Sequence, residues 1–319
     1  RMMNVEQGIS NHEVGSRKSS LRHWTFDIGY SAVRFSNSTQ TVEYLQTKGL
    51  KSRGLEPQAG EETPAAHPYP AFDLLPNLEA VALLTSWGCP YKCPYCASNF
   101  LNPRVERRDP GDVLEEILFW HRRYGVRDFA FYDDALLVEA DTHISLLLED
   151  LARRDLGLRF HTPNALHVRG ITPESARLLF LAGFRTLRLG FETSDMELHR
   201  KMGGKVAEGE FERAVNSLLK AGYTKSEIGA YVLMGLPGQS PDSVRASVEF
   251  VGRAGATPYL AEYSPIPHTP LWETAVACSG YDLASEPLFH NNTLLPCWDE
   301  EERSRVPELK NLVRRIRHG

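Results

Sequence analysis

Leu84-Thr-Ser-Trp-Gly-Cys-Pro-Tyr-Lys-Cys-Pro-Tyr-Cys-Ala-Ser98 is the stretch from which the rest of the chain is read. Its cysteines, Cys89, Cys93 and Cys96, have C-x3-C-x2-C spacing and follow an apolar run. Thiolates are soft ligands suited to iron–sulfur clusters, and one short loop can bring three of them to a single cubane. Three ligands leave one iron open. An open metal position binds a small molecule, so the spacing points to chemistry more than to structure. A structural zinc needs a fourth ligand close by, whereas the next candidate, His121, falls on a predicted helix well past the loop. Disulfides fit poorly: five cysteines is an odd number, and a chain of 319 residues needs no covalent staples.

Working outward, the chain alternates strand-like and helix-like blocks from residue 78 onward, the signature of βα units. Apolar runs predict strands over 81–86, 128–133, 158–162, 186–191, 228–234 and 258–263, and the first of these delivers the cysteine loop at its C-terminal end. Between them the spacing predicts helices, one capped by Asp112, one over 141–154, one opening at Thr172-Pro-Glu, one over 208–221 stopped by Gly222, and one over 242–254. Six such units fit a partial barrel whose active site lies at the strand C-termini, although spacing alone leaves an open doubly wound sheet available.

The cysteine loop resembles the signature of the radical S-adenosylmethionine (SAM) superfamily, with Tyr95 in the aromatic position just before the third cysteine. The resemblance spans roughly residues 78–272 and implies an α/β fold, a partial (βα)6 TIM-like barrel with N- and C-terminal extensions. It divides the chain into an N-terminal segment and linker over 1–76, a core over 77–275, and a C-terminal extension with a helix over 276–319. It further implies a [4Fe-4S] cluster on Cys89, Cys93 and Cys96. The open iron would chelate SAM, and one electron would cleave its sulfonium to a 5′-deoxyadenosyl radical. A reductant such as flavodoxin or ferredoxin would supply that electron.

On the same resemblance, polar residues beyond each strand become SAM contacts. Asp133 and Asp134 follow the second strand, where a carboxylate can partner the SAM ammonium. The alternative reading is that one aspartate caps the next segment. After the third strand, His161, Thr162 and Asn164 reach the mouth, Asn164 offering its amide to a ribose. Glu192, in Leu-Gly-Phe-Glu-Thr, resembles the family's Gly-x-Glu-Ser element. Arg200, Lys201 and Lys205 are candidates for the SAM carboxylate, with a solvated helix start as the alternative. Met234 and Leu236, in Met-Gly-Leu-Pro-Gly, and Tyr95 are candidates for packing on adenine, with core as the alternative. His268 stands where relatives of the Ser-Pro-x-Pro-Gly-Thr-Pro type carry glycine.

The stretch Pro-Tyr-Pro-Ala-Phe-Asp-Leu-Leu-Pro76, the cysteine loop and Tyr263-Ser-Pro-Ile-Pro together look most like the cobalamin-associated branch, yet no cobalamin-binding domain or Asp-x-His-x-x-Gly element is evident. Cobalamin is then implied only through a domain not present in this sequence. The segment 1–76 is read as mostly linker, with a short ordered piece over 24–33.

A formal net charge of −5 offers no general attraction to nucleic acid or anionic membrane, and no apolar run approaches a membrane span. Reduced thiols favour the cytoplasm. Cys278 and Cys297 read as packed free thiols. The basic end, with Leu309, Leu312, Val313 and Ile316 at helical spacing, predicts one helix over 301–317 docked on the barrel. The expected activity is methylation or rearrangement of a small organic substrate. The alternatives are a tRNA methylthiotransferase, which would want a second three-cysteine cluster and a basic domain, and a non-catalytic barrel that binds a metal or a partner.

Overall fold

The first apolar run forms β1 (Ala80–Leu83), and the cysteine loop that follows is bracketed by two short strands, β2 (Ser86–Trp87) and β3 (Glu106–Arg107), with the turn of helix α1 (Ser98–Leu101) between them. Here and below, the computed structural model describes residues 68–318. The expected ordered piece over 24–33 lies outside the described residues.

Next come α2 (Pro110–Tyr124), β4 (Asp128–Phe131), α3 (Ile144–Arg154) and β5 (Arg159–His161). A two-residue strand, β6 (Leu166–His167), precedes α4 (Pro173–Ala182) and β7 (Phe184–Glu192). The chain continues through α5 (Met196–Lys201), α6 (Glu210–Ala221), β8 (Ile228–Met234), α7 (Pro241–Arg253) and β9 (Thr257–Glu262). It ends in α8 (Trp272–Cys278), α9 (Glu300–Ser304) and α10 (Val306–His318).

The main sheet runs β1-β4-β5-β7-β8-β9 with every neighbour parallel, and β6 adds to β7 off that path. Strands that follow one another in space as in sequence exclude the doubly wound sheet, in which the order reverses at a switch point. Among the described residues β9 does not pair back onto β1, so the sheet is a partial barrel with an open side.

Local chemistry explains the helix ends. Asp109, not Asp112, caps α2: its side chain accepts from the Gly111 N–H, Pro110 takes the first helical position, and Asp112 sits in the first turn, where a carboxylate complements the dipole. Thr172 caps α4 through a capping box with Ser175. Gly222 ends α6 in the left-handed region at φ 116, as its position in the sequence predicts.

The core lies between the sheet and its helices. Phe129, Phe131, Phe160 and Phe184 are fully buried on the helix-facing side, with the Phe131 and Phe184 rings 5.3 Å apart. Each ring removed from water contributes about 1.5–3 kcal/mol. The expected single C-terminal helix is two: α9 stops at Ser304 and α10 starts at Val306. Leu309, Leu312 and Val313 of α10 are buried in the core, while Lys310 pairs with Glu262 of β9 and Arg245 of α7 with Glu308.

Candidate active site

The cysteine loop is suspended at the C-terminal mouth of the barrel by ties that converge from β1 and β4. β2 and β3 pair antiparallel, Ser86 with Arg107 and Trp87 with Glu106, and so close the two ends of the loop. Gly88 begins it at φ 79, and a side chain there would place its Cβ 2.3 Å from the Arg104 carbonyl oxygen. Behind β3, the buried pair Arg108–Glu116 (2.6 Å) fastens the clasp to α2, and Arg108 also donates to the Leu84 carbonyl.

Asp133 and Asp134 act on this loop from beneath. The buried Asp133 carboxylate accepts from the Thr85 N–H (3.0 Å), the Thr85 hydroxyl (2.6 Å) and the Ser86 hydroxyl (2.7 Å). Burial raises its pKa, and those hydrogen bonds work against the rise. Asp134 accepts from the Gly88 N–H and the Ser98 hydroxyl, both at 3.2 Å. Both acidic side chains therefore hydrogen-bond to the loop that carries the cysteines.

The three thiols occupy distinct surroundings. Cys89 Sγ is 3.6 Å from His167 Nε2, and the His167 ring stacks on Tyr91 with centroids 4.1 Å apart. Burial pushes the Cys89 thiol up to about 11 and His167 down to about 3, with the Lys205 charge adding to the latter. Cys96 Sγ accepts from the Ser98 N–H at 3.4 Å. Cys93 is buried, which raises its thiol against the opposing pull of Lys205. Gly203 lies against it: a Cβ there would stand 3.3 Å from Cys93 Cα and 3.6 Å from its Sγ.

Glu192 ends β7 at φ 72, a left-handed conformation that only surrounding structure holds in a non-glycine residue, just where the β7–β8 register shifts. Its carboxylate is buried and pairs with Lys205 at 2.6 Å. Burial alone would lower Lys205, but the negative charge of Glu192 outweighs it and raises the ammonium's pKa. The Lys205 ammonium is 5.6 Å from the Tyr95 ring centroid. The Tyr95 hydroxyl is buried without a hydrogen-bond partner among the described residues, and Glu192 and Cys93 are among the charges that raise its pKa after burial. Gly190 leaves room for the pair, since a Cβ there would come within 3.3 Å of Glu192 Oε1 and 3.7 Å of Lys205 Nζ.

Other expected residues fall elsewhere. Arg200 and Lys201 are exposed on the outer face of α5, Lys201 paired with Glu197, because that short helix buries His199 and leaves its basic positions in water. The cation that reaches the mouth is Lys205, brought back by the Gly203-Gly204 turn, both residues at positive φ. Asn164 donates to the Tyr132 carbonyl at 2.7 Å from the loop after β5. Thr162 accepts from the Arg188 N–H, and His161 lies 3.1 Å from Asp128 lower on the sheet. Met234 is in the main core, and Leu236 is in an apolar cluster with Met202, Leu233, Tyr263 and Cys297, against which Tyr95 packs. His268 has a left-handed backbone, at φ 69, and stacks on Phe100 with centroids 4.9 Å apart. Cys278 is exposed, which corrects its reading as a packed thiol, whereas Cys297 is buried. His167 had no signal in the sequence, since β6 is too short to show a period.

The donor set fits a cluster. The three thiols sit on one loop that Gly88 and Gly203 border closely, and three thiolates on one short loop are the donor set of an iron–sulfur cluster.

Comparisons with known proteins agree. The radical SAM superfamily model matches residues 83–251, more than half of the chain. An uncharacterized methyltransferase of Pyrococcus horikoshii is 25% identical over 221 residues, covering 66% of this chain and 46% of the relative. The cytidylyl-2-hydroxyethylphosphonate methyltransferase of Streptomyces wedmorensis is 24% identical over 180 residues, 54% of this chain and 33% of the relative. The chain thus spans less than half the length of either relative. Among solved structures, the radical S-adenosylmethionine methyltransferase TsrM of Kitasatospora setae, with tryptophan and a SAM analog bound, superposes with a TM-score of 0.55 at 20% identity. That match covers 75% of this chain and 51% of TsrM, and it speaks to the fold alone. From the family match and the loop geometry together, this chain belongs to the radical SAM superfamily.

Proposed function

We propose that this protein is a radical SAM methyltransferase acting on a small organic molecule, with a [4Fe-4S] cluster on Cys89, Cys93 and Cys96. The observation that carries the reading is the cysteine loop at the parallel strands' C-terminal mouth, with the buried Lys205–Glu192 pair beside Cys93. When bound, cluster and SAM supply reductive cleavage of the sulfonium to a 5′-deoxyadenosyl radical. The methyltransferase names of the sequence relatives favour methyl transfer over rearrangement.

The chain's own residues then divide the remaining work. Asp133 and Asp134 hold the loop's entry strand and first turn, so that the three sulfurs keep their spacing. Lys205 offers an ammonium to the SAM carboxylate, and Glu192 a carboxylate to its amino group; they neutralise each other until the ligand arrives. Asn164 borders the ribose side and Tyr95 the adenine side. Leu236 and its apolar cluster exclude water from the mouth. Methyl transfer through cobalamin would draw on a further domain, and the electron would come from a flavodoxin or ferredoxin.

The test is anaerobic reconstitution with iron and sulfide, reduction in the presence of SAM, and assay for 5′-deoxyadenosine. Wild type is expected to form it and Cys93→Ala to lose both cluster absorbance and product. A fully loaded wild-type cluster that never consumes SAM would overturn the reading.

A further inference from the structure

Below the mouth, the inner face of the sheet carries charge that the chemistry above does not use. Side chains alternate across a strand. On β7, Leu187 and Leu189 are buried in the core while Arg188 between them is half-buried and turned inward, where its Nη2 donates to the Tyr259 hydroxyl of β9 at 3.1 Å. Room for this is built in: a Cβ on Gly229 of β8 would stand 2.8 Å from both the Arg188 Cδ and the Tyr259 Cε2.

Two guanidinium groups lie against the Tyr259 ring. Arg188 Cζ lies 4.1 Å from its centroid and Arg317 Cζ of α10 3.8 Å. Arg188 otherwise donates to the Leu187 carbonyl, and Arg317 to the Pro258 carbonyl. Among the described residues neither forms an ion pair. Asp128 on β4 is taken by Arg159 and His161. Burial lowers the Arg317 pKa, Tyr259 offsets the effect and the Arg188 charge adds to it. Two half-buried like charges on one ring repel each other, and an anion bound beside them would relieve that repulsion.

We infer that Arg188 and Arg317 form an oxyanion-binding site on the inner wall of the barrel, and that it takes the carboxylate or phosphoryl end of the enzyme's small-molecule substrate. Planar guanidiniums bind such groups through paired hydrogen bonds, and Tyr231, half-buried beside Tyr259 with ring centroids 6.3 Å apart, adds an aromatic wall for the substrate body. The site also acts as a ruler. Arg188 lies four residues before Glu192 on β7, a separation of about 13 Å at the rise of a strand. A substrate anchored at Arg188 thus reaches the mouth only if on the order of 10 Å of molecule separates its anion from the reacting carbon. This deepens the proposed function and rests on it.

The test uses the full chain and three probes followed by calorimetry: benzoate, inorganic phosphate and the neutral benzamide. At least one anion is expected to bind, more weakly as salt rises, while benzamide does not. Benzoate above phosphate identifies a carboxylate substrate, and the reverse a phosphoryl one. Arg188→Gln and, separately, Arg317→Gln at the end of the last helix are each expected to weaken binding at least tenfold, with circular dichroism matching wild type. Arg188→Lys should recover part of the loss. No binding of either anion, or binding unchanged in both Gln variants, overturns the site. Formation of 5′-deoxyadenosine by the wild type reports on the radical chemistry separately, so the failure of one reading is distinguishable from that of the other.

Discussion

A single lysine separates the buried site from the solvated surface. Lys201 and Lys205 are four positions apart, yet the Lys201 side chain is 66% exposed and that of Lys205 is 11% exposed. Removing one partner of a buried pair leaves an uncompensated charge, so Lys205→Ala is expected to cost about 3–5 kcal/mol. Lys201→Ala should stay within about 0.5 kcal/mol of wild type. Urea unfolding of the two variants makes the comparison, and equal costs would contradict the assignment. His199 adds a pH dependence nearby. Its Nε2 accepts from the Val206 N–H at 2.9 Å, and burial lowers its pKa from 6.5. The unfolded chain therefore takes up a proton that the folded one refuses, and this contribution to stability is lost as pH falls below 6.5. His199→Gln, which can still accept from Val206, should flatten the slope of stability against pH between 7 and 5.5.

At the level of elements, the loop depends on backbone as much as on sulfur. Gly88→Ala puts a methyl into the Arg104 carbonyl at a positive-φ position. The expected result is a folded barrel with a displaced loop: circular dichroism near wild type and iron incorporation well below it after reconstitution. Normal iron loading would show that the β2–β3 clasp has slack. Helix starts and stops with side-chain chemistry of their own were legible beforehand; Thr172 and Gly222 are examples. The cap of α2 was misplaced because Asp109-Pro110-Gly-Asp112 offers two capping residues, and only the chain path selects between them. The break between α9 and α10 and the strands β2, β3 and β6 carried no period long enough to read.

For the whole molecule, α10 extends the core past the last strand. Leu309 is 1% exposed, so Leu309→Ala is expected to cost about 2–5 kcal/mol. A cost below 1 kcal/mol by urea unfolding would mean that α10 is dispensable to the barrel. The same helix carries Arg317 in its last turn, so its docking also sets the distance between the two guanidiniums on Tyr259. No helix among the described residues is long and apolar enough to cross a membrane.

What the sequence determined by itself was local: three thiols at fixed spacing, strands and helices in alternation, and the family that the motif signals. These are properties of neighbouring residues, and short-range chemistry writes them into the chain. Only the tertiary structure decided which charges meet. Asp133 and Asp134 hydrogen-bond to the loop, Lys205 enters while Arg200 and Lys201 do not, and Arg188 joins Arg317 across 129 positions of chain. The direction of a side chain and the burial of its charge are set by segments far away in sequence, and an alternating pattern has no way to record them.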